Sequence, residues 1–136
     1  MYGIYDLSGG LWERTTGYIN NGHENLLKYG SSFVTDISTK YATVYPYNDE
    51  GTTVTEKRKN NYALNDKIYG DAIRETSTEG TGNTSWHGDC SYYINYGTPF
   101  FVRSAHYADG EMTGSLGFHN ATGECMYRDS IRCVLI

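Results

Sequence analysis

The last third of the chain sets apolar residues at the spacing of short strands. Phe100, Phe101 and Val102 open it, Leu116 and Phe118 follow, and Ile131, Val134 and Ile136 close it. Successive side chains on a strand point to opposite faces, so this frame predicts Phe101, Leu116, Phe118, Ile131 and Val134 buried and their neighbours turned outward. Between the anchors stands a mixture of small, charged, aromatic and thioether residues: His106, Tyr107, Asp109, Glu111, Met112, His119, Glu124, Met126, Tyr127 and Arg128. Chemistry needs a few residues in fixed roles, whereas a contact surface accepts any mixture. The pattern therefore predicts an exposed patch, gathered on one face and held up by strands.

The remainder is mixed. Residues 2–16 read as extended segments around a turn at Ser8, Gly9 and Gly10. The spacing predicts a short helix over 21–29, stopped by Gly30. Residues 35–45 fit helix or strand and end before Pro46. Residues 47–61 are polar, and the run Lys57, Arg58, Lys59 reads as solvated surface. Ala63, Leu64, Ile68, Ala72 and Ile73 fall near helical spacing within 62–76, interrupted by Gly70. Residues 77–85 are a Ser/Thr/Gly-rich loop, and from Ser91 onward the pattern is strands and turns, with a turn at Ala121, Thr122 and Gly123. With no internal repeat and no boundary, this predicts one α+β domain over residues 1–136. Met1 stands directly against a structured-looking motif, so the domain is expected to be the C-terminal part of a longer protein.

Composition sharpens the functional side. Fourteen tyrosines in 136 residues suit recognition, because tyrosine gives a large contact area at low side-chain entropy cost; it also packs well on sheets. A net charge of −5, with no basic stripe, argues against nucleic acid as partner. No apolar run is long enough for direct membrane insertion. The cysteines, Cys90, Cys125 and Cys133, are odd in number and form no CxxC pair. His87 and Cys90 lack a second pair of zinc ligands. The expectation is a buried Cys133 with Cys90 and Cys125 as incidental thiols.

The chain's opening, Tyr2-Gly3-Ile4-Tyr5-Asp6-Leu7-Ser8-Gly9-Gly10-Leu11-Trp12-Glu13, resembles the YGLYDMSGNVWEW signature of the formylglycine-generating-enzyme (sulfatase-modifying factor) superfamily. Phe101-Val102-Arg103-Ser104-Ala105 stands where such proteins have RGG, and Ser130-Ile131-Arg132-Cys133-Val134 where they have GFRCV. The resemblance implies a C-type-lectin-type fold: two helices around small, mostly antiparallel sheets with long loops. It also implies that Trp12 meets the final strand, Ile131 to Leu135. The superfamily's oxidases use a cysteine pair just after the RGG segment to bind copper. Here Ser104 and Ala105 follow Arg103, so the oxidase, or a degenerate and inactive relative, is the alternative reading. His23, His87, His106 and His119 lack facial-triad spacing, and no nucleophile elbow is present. A calcium-bridged sugar site would need EPN- or QPD-type and WND motifs, which are absent.

The binding branch fits better. The chain is similar to the variable proteins of diversity-generating retroelements, in which adenine-directed mutagenesis rewrites a surface on the C-terminal strands and loops. A typical template places its asparagines on His106, Ala108, Asp109, Met112, His119, Asn120, Ala121, Glu124, Met126, Tyr127, Arg128 and Asp129. His, Ala, Asp, Tyr and Arg are reachable from an AAC codon by changing adenines. Met and Glu are not, so Met112, Glu124 and Met126 require other template codons. With Ser104, Tyr107 and Glu111 these residues form the expected ligand-binding set, Ala121 aside. The expectation is a non-catalytic binder of an unknown protein or cell-surface ligand, displayed at a cell surface or on a virion, with no cofactor required. In the enzyme branch the first motif holds calcium, which implies a structural calcium at Asp6, Gly9, Leu11 and Glu13. Gly10 replaces the usual asparagine. The alternative is that Glu13 pairs with Arg103 or Arg132 and Asp6 caps a turn.

Overall fold

An eight-residue strand, β1 (Trp12–Ile19), organises the molecule. The computed structural model describes residues 10–104 and 106–131. On one edge, β1 pairs antiparallel with β3 (Phe100–Arg103), which pairs antiparallel with β4 (Phe118–Ala121). The other edge is shared. The C-terminal half of β1 runs parallel to β2 (Thr43–Tyr45), and its first residues run parallel to β5 (Asp129–Ser130). Thus the ambiguous stretch before Pro46 ends as a strand, and the result is a five-stranded mixed sheet in an α+β domain. Trp12 stands opposite Asp129, and its N–H donates to the Arg128 carbonyl at 2.8 Å. Trp12 therefore meets the last strand of the described residues.

Strand alternation builds a core on each face. Ile19, Tyr45, Phe101 and Phe118 join Tyr62, Ile73, Tyr93 and Ile94 on one side. Their sequence neighbours Tyr18, Val44 and Phe100 join Leu26, Tyr29 and Phe33 on the other. Phe101 and Phe118 are buried as expected and Leu116 is partly covered. Ile131 is 76% exposed, against expectation, because β5 stops at Ser130. Val134 and Cys133 lie outside the described residues.

The helices correct the sequence reading twice. α1 (Glu24–Thr35) starts at His23, whose Nδ1 accepts the Asn25 N–H at 3.0 Å, and it runs past Gly30 with a kink. Gly30 is there for packing: a Cβ would sit 2.6 Å from the Phe100 ring. α2 (Val54–Leu64) occupies most of the stretch read as polar surface, and of the apolar spacing over 62–76 only Tyr62, Ala63 and Leu64 are helical, as its last turn. A capping box makes α2: Thr53 Oγ1 accepts the Glu56 N–H at 3.1 Å, and Glu56 Oε2 accepts the Thr53 N–H at 3.0 Å. Its buried positions are few, essentially Asn61 and Tyr62, so hydrophobic periodicity could not reveal it. The Lys57–Lys59 run is engaged as well. Lys57 pairs with Asp49, Lys59 pairs with Glu79, and the Arg58 guanidinium lies 5.0 Å over the Tyr92 ring.

Two predictions arise from this packing. Hydrogen bonds from Thr52 and Thr53 hold the Glu56 carboxyl down at about 2. A depressed carboxylate favours the fold above its unfolded pKa and loses that contribution as pH falls through the folded value. Stability is expected to fall between about pH 5 and pH 2, and Glu56→Gln should shrink that acid dependence in denaturant titrations. Tyr93 sits at 1% exposure among Tyr45, Tyr62 and Phe101, and its hydroxyl has no hydrogen-bond partner among the described residues. Tyr93→Phe removes a buried unsatisfied group and is expected to stabilise by about 1 kcal/mol, read from the urea midpoint.

Candidate functional site

Alternation places Val102 on the same sheet face as Phe100. α1 covers the Phe100 end of that face, and the Val102 end carries a cleft of about 450 Å³. The floor runs across the sheet. Val102 of β3 stands opposite His119 of β4. The segment around Ser91 lies parallel along the outer edge of β4, with the Tyr92 N–H donating to the Phe118 carbonyl at 3.0 Å. This sets Tyr92 beside His119, ring centroids 4.9 Å apart, and the Trp12 ring approaches His119 from β1 at 5.2 Å. The floor is thus a row of rings, Trp12, His119 and Tyr92.

One wall comes from a 3-10 helix, Tyr107–Met112, whose Asp109 and Met112 line the cleft. It is tied down at its start, where Asp109 Oδ2 accepts the His106 N–H at 2.8 Å and His106 Nδ1 accepts the Ala108 N–H at 3.3 Å. The Tyr107 N–H donates to the Gly10 carbonyl at 3.0 Å, and the Cys90 N–H to the Met112 carbonyl at 3.1 Å. The opposite wall is the turn after β4, which brings Glu124, Met126 and Arg128 to the cleft. Arg14 of β1 clamps this turn, donating to the Asp129 carboxylate and the Glu124 carbonyl. Asp129 Oδ2 also accepts the Met126 N–H at 3.0 Å.

The expected binding set divides by role. Asp109, Met112, His119, Asn120, Glu124, Met126, Arg128 and Asp129 all line this one cleft. Tyr107 and Tyr127 are 70% and 82% exposed, and Ala108 and Glu111 are exposed beside them. Asp109, His119 and Arg128 are half-buried, against their expected exposure; His106, also expected exposed, is buried, as are Ser104 and Asn120 of the binding set. Each of the buried three has a framing reason. Ser104 takes a positive φ of 64° as the chain leaves β3, and its N–H donates to the Gly117 carbonyl. His106 caps the 3-10 helix, and Asn120 Nδ2 donates to the Tyr93 carbonyl at 2.7 Å. Asp129 is a clamp more than a contact residue, because Arg14 holds it. Among the expected calcium positions, Asp6 and Gly9 lie outside the described residues. Leu11 precedes β1, and Glu13 stands within it, in register with Arg103 and Ser130. Among the described residues no group of three His, Cys, Asp or Glu is placed to hold a metal.

The sequence reading missed Tyr92, Cys90, Thr98 and Arg14. Only Trp12 carried a signal, its place in the first motif; Tyr92 joins the floor through a strand bridge with no local signature.

Burial lowers the His119 pKa, which keeps the ring neutral near pH 7. Its Nδ1 is 2.7 Å from the Asn120 carbonyl, so Nδ1 carries the proton and Nε2 is left as an acceptor. Burial pushes the Cys90 thiol up to about 12, so it is protonated and inert as a nucleophile. No protein-family model matches the chain, and neither a curated protein nor a solved structure matches it. No helix of the described residues is long and apolar enough to cross a membrane.

Proposed function

We propose that this chain is a non-catalytic ligand-binding domain of C-type-lectin-type fold. Its C-terminal third presents a surface open to substitution, as in the variable proteins of diversity-generating retroelements. One observation carries the reading: residues expected to vary, from segments on both sides of β4, converge on the walls of a single cleft. Clamps and caps made by Arg14, His106 and Asn120 hold the backbone there, so the wall side chains are free to differ. Tyr107 and Tyr127 supply large, stiff contact area at the rim, Met112 and Met126 adapt to irregular apolar partners, and the carboxylates and Arg128 supply charge complementarity. The partner is a protein or another cell-surface ligand, and the domain is displayed outward at a cell surface or on a virion. The gene's neighbourhood tests the diversification. A reverse-transcriptase gene beside a near-copy of the codons for residues 103–132, differing mainly at adenines, is expected. A neighbourhood without either would remove the diversified surface from the account.

The oxidase alternative predicts different behaviour. A copper oxidase of this kind needs two thiols close together, and among the described residues Cys90 is buried while Cys125 is exposed. Incubated with copper, the protein is expected to leave the cysteine of a CxPxR peptide unoxidised by mass spectrometry. Turnover that disappears in Cys125→Ser or Cys133→Ser would reverse this.

A further inference from the structure

We propose that the cleft takes a cationic side chain, an arginine of the partner protein, between its ring floor and its acidic walls. This rests on the reading of the cleft as a recognition site and names what that site recognises. Cations are drawn to the faces of aromatic rings, tryptophan above all, and the attraction grows where water is excluded. Trp12 and Tyr92 lie in the floor on either side of His119. The fold itself already sets one guanidinium on such a ring, Arg58 over Tyr92. The walls add the charge. Of the cleft's three carboxylates, Asp129 is held by Arg14, whereas Asp109 and Glu124 enter no ion pair among the described residues. The cleft's own cation, Arg128, is drawn over the exposed Tyr127 ring at 5.4 Å, and against it the two carboxylates leave one in excess. Arginine is favoured over lysine because its planar guanidinium both stacks on a ring and meets a carboxylate with paired donors.

Three capped pentapeptides that differ only at the centre, arginine, citrulline or glutamate, test this by NMR. The chain has two tryptophans, and Trp86 is exposed outside the cleft, so its indole N–H signal serves as an internal control once assigned with Trp86→Phe. The arginine peptide is expected to shift the Trp12 signal and spare that of Trp86, and to bind about 10-fold tighter than the citrulline peptide. Glu124→Gln, on an exposed residue, and Asp109→Asn, which keeps an acceptor for the His106 N–H, should each weaken the arginine peptide about 3- to 10-fold. Equal or tighter binding of the citrulline or glutamate peptide at Trp12 would overturn the cation while leaving the recognition cleft standing. No Trp12 shift with any peptide at 50 mM, a concentration of about the weakest affinity worth measuring, would also overturn it. The recognition reading would then rest on the library selection that closes the Discussion.

Discussion

Phe101→Ala is expected to cost about 3–5 kcal/mol, against a total of about 5–15 kcal/mol for a domain of this kind. Phe101 is 2% exposed, and its ring meets Tyr45 at 5.1 Å, Tyr93 at 5.2 Å and Phe118 at 6.0 Å. These neighbours come from β2, β4 and the segment before β3, which hold each other and cannot collapse into the space left. The loss is therefore cavity plus transfer, with little relaxation. Tyr127→Ala removes a comparable ring from the rim, where it is solvated, and should change stability by less than about 0.5 kcal/mol. Equilibrium denaturation of the two variants measures the contrast. A Tyr127→Ala loss as large as that of Phe101→Ala would make the rim part of the core.

Gly123→Ala is expected to be the costliest change near the cleft. Gly123 turns the chain from β4 into the wall that carries Glu124 and Met126, with φ at +98°, a region L-residues avoid. There is no room either: a Cβ would lie 2.5 Å from the Phe100 ring and 2.7 Å from the Tyr29 Cβ. The left-handed conformation alone costs about 1–2 kcal/mol, and displacing the ring adds a further amount of about 1–3 kcal/mol. The melting temperature should fall by about 6–15 °C on these figures. Gly10→Ala is the useful comparison, since that glycine also has a positive φ but open space around it among the described residues. A loss in Gly123→Ala no larger than in Gly10→Ala would mean that Phe100 and Tyr29 do not brace the wall.

What the sequence revealed follows from how local each signal is. The strands at Phe100–Arg103 and Phe118–Ala121 were legible because alternation decides which side chains enter the core. The paired motifs placed Trp12 against a strand over 131–135; it pairs with Asp129 just before that stretch, which lies outside the described residues from 132 on. α2 was missed because its signal was the Thr53–Glu56 box, while its apolar stripe is nearly absent. Ile68 and Ile73 misled in the opposite sense: they serve the core from irregular chain, where helical spacing is coincidence. In the cleft, the wall residues were legible as an odd mixture between anchors. The division of labour among them was not. His106 and Asn120 look like contact residues in sequence, and only their buried hydrogen bonds make them part of the frame. Tyr92 and Arg14 reach the cleft through strand pairing and a long-range ion pair, which no local pattern encodes.

The claim that these walls exist to bind, on a frame that does not depend on them, meets its most direct test in one selection. Tyr107, Glu111, Met112, Glu124, Met126 and Tyr127, all exposed, are randomised together, and the library is displayed and panned against several unrelated proteins. Most members are expected to stay protease-resistant, because exposed positions rarely change stability by more than about 0.5 kcal/mol each. Binders specific to each target are expected to emerge, and to lose binding when the original six residues are restored. A library in which few members resist protease, or in which folded members yield no target-specific binder, would contradict the account.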